Sequence, residues 1–253
     1  MRSLGRRPAD RCRAVPKERV QRSLARGGLG SRRACEELIK EGRVAVNGRP
    51  AELGDKVDPS ADIITVDGDR VAADPEMRYF LLNKPGGVIT TMADPQGRTD
   101  ITGFLPAGAR VFPVGRLDQD SEGLLILTND GELANRLTHP RYGVEKEYLA
   151  EVDGTPTPKL LSRLKAGVEL GDGPAKVLGV RVASRSGERA ALRVVMGEGR
   201  KREVRRLLEA VGLPVVRLVR LRQGPLRLQG LGPGEVRPLT PKEVRELYLA
   251  AGL

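Results

Sequence analysis

Tryptophan is absent from the 253 residues, and there are only three phenylalanines and four tyrosines. A broad aromatic platform on which successive bases of a single strand would stack is therefore excluded as the main mode of recognition. The two cysteines give no disulfide framework and no metal site: Cys12 lies in an Arg-rich segment and Cys35 falls on the apolar side of a predicted helix. The single histidine, His139 in "THP", has no companion at ligand spacing and reads as a structural or capping residue. No apolar run approaches the roughly eighteen residues of a spanning helix, and the opening segment lacks the apolar stretch of a signal peptide, so a cytoplasmic protein with no membrane-spanning segment is expected. There is no Walker loop, and the glycine-rich "MGEGRKREV" fits neither phosphate fingerprint, which removes nucleotide cofactors from the expectation.

Positive charge is plentiful. Lys and Arg total 44 against 33 acids, a net charge of +11, so a polyanionic partner or an anionic surface is implied. Net charge alone leaves RNA, DNA and membrane open. Its distribution is more informative: residues 1–50 carry a net +9 and residues 193–227 a net +7, while everything else sums to −5. Two separated basic blocks on a mildly acidic body read as two surfaces gripping one polyanion.

The chain divides into a basic flexible tail (1–16), a compact unit (17–67), a linker (68–77) and a larger domain (78–253). In the compact unit, Val20 and Leu24 fall on one helical face that Gly27 ends; Ser31 caps a second helix that Gly42 stops. Ala34, Cys35, Leu38 and Ile39 form the apolar stripe of that helix, turning Arg33 and Lys40 the other way. "RVAVNGRPA" alternates across an Asn-Gly pair, a strong hairpin signal, and "DIITVDG" supplies another strand.

This pattern, through "GSRRACEELIKEGRVAVNG", resembles the RNA-binding module named after ribosomal protein S-four. The resemblance implies RNA contact through the exposed side of the second helix, with Arg32, Arg33, Lys40 and Arg43 as the candidates. It indicates a partner, not a reaction.

In the larger domain, short apolar strands recur between turn signals ("YFLLNKPGGVITT", "GLLILT", "EKEYLAEV", "AKVLGVRVA", "RAALRVVM", "VVRLVRLR"). Helical patterns are fewer ("GELANRLTH", "PKLLSRLKAG", "KREVRRLLEAVG"). Strands and helices do not alternate, so an α+β fold on a mainly antiparallel mixed β-sheet is expected. The stretch "VGRLDQDSEGLLILTND" reads as the end of a strand "RVFPVG", an irregular loop, a buried strand and a turn into a helix. It places three acids, Asp118, Asp120 and Glu122, at the rim of a sheet, where a cleft is expected. Locally, turn and capping roles explain such acids well, and Asp130 in the Asn-Asp-Gly turn reads as structural.

"GRLDQDSEGLLILTNDGELANRLTHP" closely resembles the signature loop of RNA pseudouridine synthases of the branch typified by RsuA and RluB. "NKPGGVITT", "VEKEYLAEV", "GDGPA" and "EGRKREVRRLLEAVGLPVVRLVRLRQGPL" match in the same order, and the likeness spans roughly residues 17–245. The resemblance implies that Asp118 is the catalytic carboxylate. It would either attack the anomeric carbon, giving a covalent ester, or remove the neighbouring ribose proton, giving a glycal; the base then turns and rejoins through carbon five, without a cofactor. Arg205 in "REVRR" matches the partner that keeps this carboxylate charged as a bound base excludes water, with a phosphate contact as its other reading. Tyr148 matches the family's active-site tyrosine, which packs against the uracil and assists its proton chemistry, with a core position on an alternating strand as its other reading. Arg116 matches the residue that fills the stack vacated by an extruded nucleotide, and Lys201 belongs with the RNA contacts. The partner implied is structured ribosomal RNA, of the large subunit by the closer likeness to the RluB type, met by a monomer. Two rivals stand beside this reading: a noncatalytic RNA-binding assembly factor, and a base-removing glycosidase using Asp120 or Glu122 as a second carboxylate.

Overall fold

The computed structural model describes residues 17–59, 61–71 and 77–253, so the basic segment 1–16 with Cys12 lies outside the described residues. The chain falls into two compact units, residues 1–76 and 77–253.

In the first unit, helices α1 (Val20–Arg26) and α2 (Arg32–Lys40) cover a four-stranded sheet of β1 (Val44–Val46), β2 (Arg49–Pro50), β3 (Ile64–Val66) and β4 (Asp69–Arg70), in the order β2-β1-β3-β4. Ser31 caps α2 by accepting from the Ala34 amide at 3.1 Å, and Gly42 takes φ +70° just past its end. Val20, Leu24, Cys35, Ile39, Val44, Val57 and Ile64 form the core, and burial pushes the Cys35 thiol up, with Glu36 adding to it. Ala34 departs from the expected stripe: it is exposed in the first turn, against Gly30 of the preceding loop. Asn47 and Gly48 both have positive φ, as the hairpin signal requires. Asp67 and Gly68 form a second such turn, so Asp69 and Arg70, expected in the linker, pair with Val66 and Thr65.

The second unit is built on β5 (Tyr79–Lys84), β6 (Ser121–Thr128), β7 (Lys146–Asp153), β8 (Gly179–Ser186), β9 (Arg189–Met196), β10 (Val215–Gln223) and β11 (Val236–Pro238). Helices α3 (Gly131–Thr138), α4 (Pro158–Ala166), α5 (Glu203–Glu209) and α6 (Pro241–Ala250) accompany them. Strand order is β8-β9-β7-β10-β6-β5-β11, antiparallel except for the β10–β6 pair, so the unit is α+β on a mixed sheet. "GLLILT" is apolar throughout because both faces of β6 are covered. Leu125 and Leu127 pack with Leu164 of α4 and Leu207 and Leu208 of α5; Leu124 and Ile126 pack with Leu133 and Leu137 of α3 and Leu247 of α6.

Two elements differ from expectation. "RVFPVG" forms strand only at Phe112–Pro113, since Gly115 turns the chain at φ +77°. Helix α6 was not among the expected helices, although Thr240 and Glu243 form a capping box with Pro241 in the first turn. Asp130 caps α3, accepting from the Glu132 and Leu133 amides at 3.1 and 3.0 Å, and also receives the Tyr79 and Tyr248 hydroxyls. His139 caps the short turn that follows by accepting from the Arg141 amide at 3.2 Å. Among the described residues no helix is long and apolar enough to cross a membrane, and no three His, Cys, Asp or Glu side chains group where they could hold a metal ion.

Candidate active site

The loop before β6 is clamped from below by the segment after β5. Lys84 is fully buried, and its Nζ donates to the Ser121 carbonyl at 2.8 Å and the Pro85 carbonyl at 2.9 Å, with the Gln119 carbonyl at 3.5 Å. Thr90 is also buried; its Oγ1 donates to the Leu117 carbonyl at 2.8 Å and accepts from the Leu117 amide at 3.2 Å. Gly87 and Gln119 exchange two further bonds, 2.8 Å and 3.2 Å. "NKPGGVITT" thus fixes the backbone on both sides of residue 118. Burial pushes the Lys84 ammonium down to about 8, although Glu122, Asp120 and Asp118 all act to raise it.

The three acids, Asp118 and Asp120 in the loop and Glu122 at the start of β6 beyond it, then separate by environment, although the sequence placed all three in the loop. Asp120 receives Arg202 through two bonds of 2.9 and 3.0 Å; partial burial pushes its carboxyl up, but Arg202 and Arg205 outweigh that and hold it below the ordinary range. Glu122 receives Arg217 at 3.0 and 2.8 Å, which lowers its carboxyl in the same way. Asp118 has no hydrogen-bond or ion-pair partner for its carboxylate among the described residues. Two acids are structural, and one is left available.

Asp118 lines a cavity of about 540 Å³, within the size range of small-molecule sites. Tyr148, 8% exposed, lies on its wall, and the exposed Arg116 and Lys201 also line it. Arg205 is not at the wall. It is buried behind the loop, donating to the Asp120 carbonyl at 2.9 Å and the Val215 carbonyl at 3.1 Å, with the Asp120 carboxylate at 3.4 Å. The expected direct ion pair with Asp118 is therefore replaced by a tie between the loop, α5 and β10. The fork is used on backbone carbonyls, and the charge of Arg205 acts on Asp118 through space.

Arg202, which the sequence reading did not single out, takes φ +50° at the start of α5, a costly conformation for a side-chain-bearing residue. Its paired bonds to Asp120 hold it there. Lys84, Thr90, Lys146, Arg220 and Gln223 were also missed; in the sequence they are polar residues inside or beside apolar strands, the only signal that could have marked them. The basic block 193–227 is largely occupied internally. Arg193, Arg200, Arg202, Arg205, Arg206, Arg217, Arg222 and Arg227 each lie within ion-pair distance of an acid, whereas Lys201 and Arg220 have no such partner among the described residues. In the first unit, Lys40 pairs with Glu37 at 2.7 Å and Arg43 with Asp67 and Glu41, while Arg32 and Arg33 are exposed without an ion pair among the described residues.

Comparison with known proteins matches residues 78–210 to the RNA pseudouridylate synthase family model and residues 18–63 to the S4 domain. The ribosomal large subunit pseudouridine synthase B of Bacillus subtilis is 45% identical over 239 residues, covering 92% of this chain and 97% of that one. An RNA pseudouridine synthase of Aquifex aeolicus is 47% identical over 238 residues, covering 93% and 95%. A crystal structure of a pseudouridylate synthase superposes with a TM-score of 0.63 at 28% identity, covering 90% of this chain and 99% of that one. An unpaired carboxylate facing a cavity on this mixed sheet, a matched synthase model over most of the second unit and full-length relatives agree: the chain belongs to the RNA pseudouridylate synthase family and carries an S4 domain ahead of its synthase domain.

Proposed function

We propose that this protein converts a specific uridine of structured ribosomal RNA, in the large subunit, to pseudouridine, with Asp118 as the catalytic carboxylate and no cofactor. The observation that carries the reading is the Asp118 side chain: of the three acids at 118, 120 and 122 it alone is free of a cation's grip, and it lines the cavity. A carboxylate that is paired cannot approach ribose without breaking its pair. Asp118 meets the anomeric carbon, or the neighbouring proton, once the nucleotide is extruded into the cavity. Asp120 and Glu122 are held by arginines, which leaves a base-removing glycosidase without its second carboxylate. The large-subunit assignment draws on the naming of the Bacillus subtilis relative.

Tyr148 packs against the uracil in this reading, Arg116 at the rim enters the vacated stack, and Lys201 contacts phosphate. Arg205 positions the loop instead of touching substrate. Arg32 and Arg33 supply phosphate contacts from α2; Lys40 and Arg43 do so at the expense of their present acidic partners. The enzyme acts as a monomer in the cytoplasm.

Unmodified ribosomal RNA treated with the protein and mapped with a pseudouridine-specific reagent tests the reading. One or a few new positions are expected with the intact protein and none with Asp118→Asn. Abasic sites instead of pseudouridine, or equal conversion by Asp118→Asn, would reject it.

A further inference from the structure

Tyr148 shares its face of the sheet with a polar row that the reaction above does not use. In the register of β7, Tyr148 stands opposite Arg220 and Val194, and Lys146 opposite Gln223 and Met196. Arg220 and Gln223 are three residues apart, an odd spacing that would send them to opposite faces of a regular strand. The register shift between Glu147 and Tyr148 marks a bulge, with Leu221 as the extra residue, and it brings both side chains to the same face. Lys146, Tyr148, Arg220 and Gln223 all line the cavity that holds Asp118.

These side chains are deeply buried, at 7%, 2% and 0% exposure for Lys146, Arg220 and Gln223. They are also poorly satisfied. Lys146 Nζ reaches one carbonyl, that of Val144, at the long distance of 3.5 Å. Arg220 Nε donates to the Leu124 carbonyl at 2.7 Å, but its Nη2 has no partner, and neither polar atom of Gln223 has one. Neither cation has an acid within ion-pair distance among the described residues. Two buried, unpaired cations are costly to a fold and call for an acceptor-rich or anionic occupant. Burial, reinforced by Arg220, pushes the Lys146 ammonium below the ordinary lysine range, with Glu203 opposing.

Uracil fits this array by its chemistry. Its edge offers two carbonyl acceptors around one N–H donor, against several donors on the cavity floor and the Gln223 carbonyl oxygen. Cytosine would instead turn an amino group toward the cations. When the bond from N1 to the anomeric carbon breaks, its electron pair stays with the base, which becomes an anion with charge spread onto both carbonyl oxygens. We propose that Lys146 is a further catalytic residue, whose ammonium donates to a uracil carbonyl oxygen and stabilises the detached base as an anion, with Arg220 and Gln223 completing the donor array around it. No proton leaves Lys146. The charge on the base disappears when carbon five bonds the anomeric carbon, as the Asp118 ester bond breaks or, by the glycal route, as Asp118 returns its proton to the neighbouring ribose carbon; the proton of carbon five then passes to water and N1 takes one up from water. This inference rests on the isomerisation proposed above.

The test uses the whole 253-residue chain and three RNAs carrying uridine, 2-thiouridine or 4-thiouridine at the mapped target. Sulfur accepts hydrogen bonds weakly, and a thiouracil anion leaves more readily than uracil. Single-turnover rates with Lys146→Met should fall about 100-fold on uridine, the scale of losing one preorganised donor to a developing anion. The loss should be less than about tenfold on the RNA whose sulfur replaces the contacted oxygen. RNA affinity should stay within about twofold, and Lys146→Arg should restore part of the rate. A purely structural role lowers all three rates alike. An equal loss on all three RNAs, or an unchanged rate on uridine, would overturn the inference while leaving the isomerisation intact. If the unaltered protein forms no pseudouridine, the isomerisation falls and the inference falls with it. Should Lys146→Met not fold, Lys146→Gln makes the same comparison.

Discussion

Three carboxylates, at 118, 120 and 122, meet three environments, and their chemistry follows from the neighbours. Arg202 and Arg205 hold Asp120, Arg217 holds Glu122, and Asp118 is left to the cavity. Lys84 is the residue on which that arrangement turns, because it ties the carbonyls of Gln119 and Ser121, on either side of Asp120, to that of Pro85. An exposed lysine keeps its proton to about 10.4, whereas Lys84 releases it near 8 in the folded protein. Between those values the unfolded chain binds more protons, so this site's contribution to stability rises with pH across that window, by on the order of 3 kcal/mol. Below pH 8 the charged form carries the full cost of its burial. Urea unfolding of the protein and of Lys84→Met at pH 7, 8, 9 and 10 should show the unaltered protein gaining relative to the variant at the alkaline end. A constant difference would mean that Lys84 titrates like an exposed lysine.

Among the elements, the parallel pairing of β6 with β10 sets the distance between the Asp118 loop and the cavity floor. That pairing requires a glycine. Gly123 has φ +102°, and a Cβ there would lie 2.4 Å from the Arg220 carbonyl oxygen and 2.7 Å from its nitrogen. Gly123→Ala should force the strands apart and combine backbone strain with steric overlap. A loss of several kcal/mol in urea unfolding is expected, with activity falling further than the fraction unfolded explains. Full activity in Gly123→Ala would show that the strand pairing is not what positions the loop. The motif "SEGLL" is legible as the start of a strand, but the need for glycine comes from a backbone almost a hundred residues away. By contrast, α3 and the hairpin at Asn47-Gly48 were legible because cap and turn residues act on their own neighbours.

At the scale of the whole molecule, charge counts differ from usable charge. The block 193–227 reads as a second gripping surface in the sequence, yet most of its arginines face acids drawn from elsewhere in the unit. Phosphate binding should depend accordingly on the cations left unpaired. Replacing Arg32 and Arg33 together by glutamate should weaken RNA binding and reduce the slope of log affinity against log salt by about 1.5, while conversion at saturating RNA is retained. An unchanged slope would remove α2 from the interface.

The sequence by itself determined what depends on near neighbours: helix caps, hairpin turns, the apolar run of a strand covered on both faces, the order of the motifs, and through them the family. It marked Asp118 as one acid among three. Only the tertiary structure decided which acid is free, that Arg205 braces the loop from behind instead of pairing with Asp118, and that a bulge turns Arg220 and Gln223 to the same wall as Lys146 and Tyr148. Those outcomes hang on distances between residues up to about a hundred positions apart. Electrostatics and hydrogen bonding act over a few ångströms of space, whatever the separation along the chain.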